Sequence, residues 1–208
     1  PLVTYNGALV KDPSTGKTLA HWPLALETAK CIVGELLDQD IYVQAYVNDT
    51  LLVPADCAKA QYYAKFSRVP FEVAGAGLRQ LAEAPHKLLV IDDDPEPIRR
   101  HLVTVYGNAI KIVSSSKGFL EITDPETNKW RALQFLMKRF EVTREEILTV
   151  GDSDNDYEMV AHAGVGVAMG NAKETIQKAA RIITASNTQS GVSLILRSVM
   201  TNQVDVPE

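Results

Sequence analysis

The chain of 208 residues is poor in several things, and each shortage excludes a class of protein. It has only 2 cysteines, Cys31 and Cys57. They form no C-x-x-C and no zinc spacing, so a disulfide scaffold and a structural zinc module are both excluded. Both sit in apolar stretches, which predicts buried thiols and a reducing compartment. Long apolar runs are missing too: Val165–Met169 is far short of the ~20 residues a bilayer span needs. The opening Pro1–Gly7 has no basic region and no signal-peptide core, so a cytoplasmic protein with no membrane association is expected. Basic residues are outnumbered, 21 Lys+Arg against 26 Asp+Glu, for a net charge of -5. That balance argues against nucleic acid as a partner. A small anionic substrate stays open, because local fields can hold one on an acidic protein. There is no internal repeat and no low-complexity tract. No G-x-S-x-G, Walker loop, H-E-x-x-H or Cys–His arrangement is present. The histidines (His21, His86, His101 and His162) share no ligand-like spacing.

What is present is an ordinary globular composition, 46% hydrophobic and 23% charged, long enough for one domain or two small ones. The stretch from Ala8 to Lys117 mixes short β-like runs with amphipathic helices. Ala8–Val10 and Thr18–Ala20 flank the turn signal Asp12-Pro13-Ser14-Thr15-Gly16 and read as a hairpin; Ile41–Val47 and Leu51–Val53 around Asn48-Asp49 read as a second. Leu24–Leu37, Cys57–Phe66, Leu78–Ala82 and Pro97–Tyr106 carry helical signals. Lys87–Ile91, Ala109–Ser114 and Phe119–Thr123 read as strands. This predicts an α+β region, largely antiparallel, with helices on one side. From Asn128 the pattern changes to strict alternation of helices with continuous apolar strands at 147–150, 165–168 and 181–184. Such alternation means βαβ units and a parallel sheet covered on both faces.

The strongest chemical signal is Ile147-Leu148-Thr149-Val150-Gly151-Asp152-Ser153-Asp154-Asn155-Asp156. An apolar strand ends on glycine and meets an acidic cluster that opens a helix, and ligand sites of parallel sheets lie at such strand ends. Three carboxylates and an amide within five residues repel one another unless a cation or a donor network compensates. N-capping accounts for one or two of them. Hard oxygen donors of this kind suit Mg²⁺. A calcium loop is excluded despite the D-x-D-x-D offsets, because Tyr157 stands where that loop needs glycine and Ala163 where it needs glutamate. Two other runs mimic motifs. The glycines of Gly164–Gly170 surround an apolar strand, so they read as packing and turn positions. Asp92-Asp93-Asp94 is followed by Pro95-Glu96-Pro97, which reads as the capped start of a helix. Lys129 opens a helix, where a cation is disfavoured by the dipole. Lying just before the βαβ unit that bears the acids, it reads either as a surface lysine or as a holder of an anionic group.

Taken together, Phe119–Ile122, Lys129, Gly151–Asp156, Ala168-Met169-Gly170-Asn171-Ala172 and Gly191-Val192 resemble the carboxyl part of Cof-type phosphatases of the haloacid dehalogenase-like (HAD) superfamily. Thr4–Ala8 is similar to the N-G-A segment that leads into their C2-type cap. The resemblance implies an α/β fold, with a partial Rossmann-like parallel-sheet core and an inserted α+β cap. Residues 1–7 would be a core strand entering the cap, 8–117 the cap and 118–208 the core. It implies a Mg²⁺-dependent phosphatase acting on a small phosphorylated metabolite such as a sugar phosphate. Asp152 would ligate the metal, Asp156 would hold its waters, Asn155 would contact the phosphate or fix the loop, and Lys129 would neutralise phosphoryl oxygens. Asp154 matches no required position. Trp130 replaces a usual glycine and is expected to crowd the site entrance.

One part of the pattern is missing. The resemblance calls for an Asp-x-Asp-Gly-Thr loop before Asn6, with a nucleophilic and an acid–base aspartate. Asp92 and Asp94 cannot replace it, since they belong to the cap by order and lack the turn. The chain is therefore expected to be amino-terminally truncated and inactive alone, and to self-associate through an exposed core edge. The alternative is a non-catalytic module that binds a metal or a phospho-ligand, or that another chain completes.

Overall fold

A computed structural model describes residues 1–201, apart from the side chain of Ser115. It divides into two compact units, Pro1–Thr127 and the residues from Asn128 onward. Among the described residues no helix is long and apolar enough to cross a membrane.

The first unit opens with a three-stranded antiparallel sheet, β1 (Leu2–Thr4), β2 (Leu9–Lys11) and β3 (Thr18–His21). The β1–β2 connection is tight, with Tyr5, Asn6 and Gly7 all at positive φ. Between β2 and β3, Asp12 accepts from the Ser14 amide at 2.9 Å, the Asx turn that the run Asp12–Gly16 announced. A six-stranded sheet follows, in the order β6-β5-β4-β7-β9-β8. Its strands are β4 (Val43–Val47), β5 (Thr50–Val53), β6 (Phe71–Val73), β7 (Lys87–Ile91), β8 (Lys111–Ser116) and β9 (Phe119–Thr123). The β4–β5 hairpin turns on Asn48 and Asp49, both at positive φ, as a two-residue turn of this twist requires.

Alternation along these strands sorts the core into two layers. Val43, Ala45, Leu88, Val90, Leu120 and Ile122 face α1 (Leu26–Asp38) and α3 (Glu96–Tyr106). Tyr46, Leu51, Leu89, Ile91 and Phe119 face α2 (Ala58–Ser67). Helices thus lie on both faces of the sheet, where a single covered side was expected. The reason is that Ala60 and Tyr63 give α2 an apolar face of its own. Cys31 is exposed and Cys57 half-buried, against the expectation of buried thiols. The buried stripe of α1 is Ala29, Ile32, Val33 and Leu36, and Cys31 falls off it. The division at Thr127 differs from the expected 117/118 boundary, because β9 pairs with both β7 and β8. Residues 1–7 include β1, which pairs with β2.

A polar cluster ties the first sheet to the second. His86, 2% exposed, shares a 2.7 Å hydrogen bond through Nδ1 with His21 Nε2. Its Nε2 accepts from the Asp49 amide at 3.2 Å. That acceptor role puts the proton on Nδ1, donated to His21. Tyr5 stacks on the ring at 4.5 Å, and Asp49 is paired with Lys11.

The second unit is built on a parallel sheet of order β10-β11-β12, from β10 (Leu148–Gly151), β11 (Val165–Ala168) and β12 (Ile182–Ile183). Its helices are α4 (Lys129–Phe140), α5 (Tyr157–His162), α6 (Glu174–Ala179) and α7 (Gly191–Met200). Val160, Ala168, Met169 and Ile176 form its core. α7 buries only Gly191 and Ile195 and leaves Leu194 and Leu196 about half exposed, so the cover expected on both faces is incomplete. The expected span to residue 208 runs past the described residues.

Burial, followed by the field of His21, lowers the pKa of His86 to about 4 from 6.5. Above pH 6.5 both folded and unfolded chains carry it neutral, and its contribution is complete. As the pH falls from 6.5 towards 4 the unfolded chain binds the proton first, so stability drops, by about 3 kcal/mol in all. Urea unfolding midpoints between pH 7.5 and 4 should fall accordingly, and His86→Phe should flatten that slope.

Candidate functional site

The acidic cluster sits where β10 ends, at the carboxyl edge of the parallel sheet. Gly151 makes the local path possible. A Cβ there would lie 2.5 Å from Asp156 Cβ and 2.9 Å from Val160 Cγ2. Without it the chain folds back tightly, and a 3-10 turn at Asp154–Asp156 runs into α5.

Asp156 is turned inward and is 4% exposed. Its Oδ2 accepts the backbone N–H groups of Asp152 and Ser153, each at 3.0 Å. Its Oδ1 accepts from Lys129 Nζ at 2.5 Å. A buried carboxylate is costly unless paired and hydrogen-bonded, and these three donors meet that need. Lys129 is the first residue of α4, with Asn128 as N-cap accepting from the Arg131 amide at 2.7 Å. An ammonium has three donors, and Asp156 takes one of them. The expected misfit of a cation at a helix start is therefore resolved by the buried carboxylate beside it.

Asp152 is exposed and aims differently. Its Oδ1 accepts from Ser153 Oγ at 3.0 Å, and its Oδ2 lies 3.5 Å from Asn171 Nδ2. Lys129, Gly151, Asp152, Asp156, Met159 and Met169 line a cleft of ≈ 330 Å³, together with Val150 and Val192. The structure thus brings Lys129, Asp152 and Asp156 to one place. Asn155 is half-buried inside the turn and Asp154 points outward to an exposed ion pair with Lys173; neither lines the cleft. Trp130 does not crowd the cleft. Its ring lies 5.7 Å from that of His162, at the far end of α5. Asp92 sits in the first unit, where its Oδ1 accepts the Asp94 amide at 3.1 Å in a turn before α3; the N-cap of α3 is Pro95, which has no side-chain cap, so the expected capped start is not found. Gly166 is a packing glycine, since a Cβ on it would meet the Val160 carbonyl oxygen at 1.8 Å.

Sequence reasoning named Asn171 only within the run Ala168–Ala172, without a role, and passed over Lys173. They follow β11, the strand beside β10, and the rule that located Asp152 at a strand end would have located them too.

The donor set fits Mg²⁺ in part. Among the described residues no three His, Cys, Asp or Glu side chains are grouped to hold a metal. Asp156 is buried and each of its oxygens already accepts from the chain, whereas Asp152 is exposed and lines the cleft, so Asp152 is the more accessible carboxylate for a cation. Mg²⁺ asks for one or two carboxylates and completes its shell with water and phosphate, unlike ions that need an all-protein cage.

A parallel α/β unit with a carboxylate-clamped lysine at a strand's end defines the general class. The profile of the haloacid dehalogenase-like hydrolases matches residues 1–196, and the chain belongs to that family. A Haemophilus influenzae protein is 38% identical over 114 residues, which take in 54% of this chain and 44% of that protein. The 5-amino-6-(5-phospho-D-ribitylamino)uracil phosphatase YitU of Bacillus subtilis is 31% identical over 210 residues, covering 95% of this chain and 75% of that one. The crystal structure of TM0651 from Thermotoga maritima superposes with a TM-score of 0.82 at 34% identity, over 93% of this chain and 73% of that one.

Removing the cation from this pair should expose its worth. Lys129→Met leaves the buried Asp156 carboxylate with two amide donors and should cost about 2 kcal/mol, less than for a fully buried pair because Lys129 is partly solvated. Lys129→Met combined with Asp156→Leu should recover part of that loss in urea unfolding.

Proposed function

We propose that this chain carries the cation-binding and lysine half of a Mg²⁺-dependent phosphoric monoester hydrolase acting on a small phosphorylated metabolite such as a sugar phosphate. The observation that supports it is the Lys129–Asp156 pair set beside the open Asp152 carboxylate in one cleft. Phosphoryl transfer needs little covalent work from the protein and much positioning and charge stabilisation. Asp156 holds the Lys129 ammonium in place, and the remaining N–H groups of Lys129 neutralise phosphoryl oxygens. Asp152 holds the metal, which when bound supplies further positive charge to the phosphoryl group. Asp156 acts on the site through Lys129 and the two amides. Asn155 fixes the turn between them. The substrate class draws on YitU, whose name specifies a ribityl phosphate ester.

No Asp-x-Asp-Gly-Thr loop occurs among the 208 residues. The attacking carboxylate of the proposed reaction is therefore not one of them. That observation also favours a second reading, a module that binds the metal or a phospho-ligand without turnover. The assay that separates the two is p-nitrophenyl phosphate hydrolysis with Mg²⁺. The 208-residue chain alone should show negligible turnover. A longer chain that carries such a loop upstream should hydrolyse the ester, and Asp152→Ala or Lys129→Ala in it should lose about 10²–10³-fold. Metal binding without turnover in the longer chain would establish the second reading instead.

Among the described residues β10 is an edge strand of its sheet, and this edge and the exposed apolar side chains of α7 support one more proposal, association between copies. In gel filtration at tens of micromolar the chain should elute ahead of a monomer. A monomer with a high melting temperature would refute it.

A further inference from the structure

Asn171 stands in the β11–α6 connection and touches the loop after β10. Its Oδ1 accepts the Asn187 backbone N–H at 2.8 Å. A backbone amide can only donate, so this bond fixes which end of the side-chain amide is which. The NH₂ end is thereby turned the other way, where it lies 3.5 Å from Asp152 Oδ2. Among the described residues the other side-chain partner of Asp152 is its neighbour, through Ser153 Oγ at 3.0 Å on the opposite oxygen. A carboxylate on an exposed loop samples several rotamers unless both oxygens are steered, and outer hydrogen bonds to a metal-binding carboxylate set its direction.

We propose that Asn171 is a positioning residue for Asp152, an amide set by the Asn187 N–H to hold the carboxylate towards the cleft and so to raise the affinity for a divalent cation. The inference rests on the reading of Asp152 as the cation-holding group. It adds that the loop after β12, which contains Asn187, contributes to that affinity without touching the ion.

The probe is Mn²⁺ alone, titrated into the ¹⁵N-labelled chain, since this ion broadens nearby amide signals even at millimolar affinity. In the wild type the amides of Asp152 and Ser153 and the side-chain NH₂ of Asn171 should broaden first, and Asp152→Ala should abolish the effect. Asn171→Ala should raise the Mn²⁺ concentration for half-broadening about 10-fold or more, the usual size of such an outer contribution. Apart from the Asn187 amide, which loses its acceptor, the spectrum and the thermal midpoint of this variant should stay close to wild type. A second measurement does not depend on that variant folding. In Asp152→Ala without metal, the Asn171 side-chain NH₂ signals should move, while the Asn187 backbone amide, still bonded to Oδ1, keeps its shift. Half-broadening within twofold of wild type in Asn171→Ala, or unmoved NH₂ signals in Asp152→Ala, would overturn the role of Asn171 and leave Asp152 as the cation site. Absence of broadening in the wild type at 10-fold millimolar excess would instead remove Asp152 as that site, and the role of Asn171 with it.

Discussion

The buried carboxylate of Asp156 is the constraint on which the second unit's cleft depends. A charge at 4% exposure must be met by donors, and each donor fixes a different piece of chain. The amides of Asp152 and Ser153 curl the loop after β10. The Lys129 ammonium draws the first turn of α4 to the same point. Gly151 gives the approach its clearance. Remove the charge and two segments, the loop after β10 and the start of α4, lose their common reference.

The signals that were legible in the sequence are those with a local cause. The apolar run 147–150 ending on glycine located the strand end, and the alternation after residue 128 announced the parallel sheet that β10, β11 and β12 form. Asn48-Asp49 marked a hairpin because so few residues accept positive φ in succession. Lys129 was noticed for being in an electrostatically poor place. Its partner was 27 residues away and could be supplied only by the fold. The division of labour among the acids was hidden for the same reason. Spacing alone treats Asp152, Asp154 and Asp156 alike, whereas the turn sends one inward, one to the cleft and one out to Lys173.

The misplaced expectations share a different cause. Order along the chain puts β9 after the boundary, whereas the compact units divide after it, because a sheet is assembled by pairing across the chain. Cys31 was taken as buried because its neighbours are apolar, but a helix buries a stripe and not a segment. Trp130 was expected at the cleft from its adjacency to Lys129. Successive helical residues point about 100° apart, which delivers the indole to His162. The buried imidazole His86 was unremarkable in sequence; its low affinity for a proton arises only once Tyr5, His21 and the β4–β5 turn close around it.

The three donors gathered on Asp156 have a consequence for selectivity. They belong to the same polypeptide, so the ammonium beside the carboxylate is already oriented. On the proposed reading, such a corner would answer to the charge and shape of an oxyanion and offer no grip on the carbon skeleton attached to it, so discrimination between one ester and another would fall to side chains elsewhere.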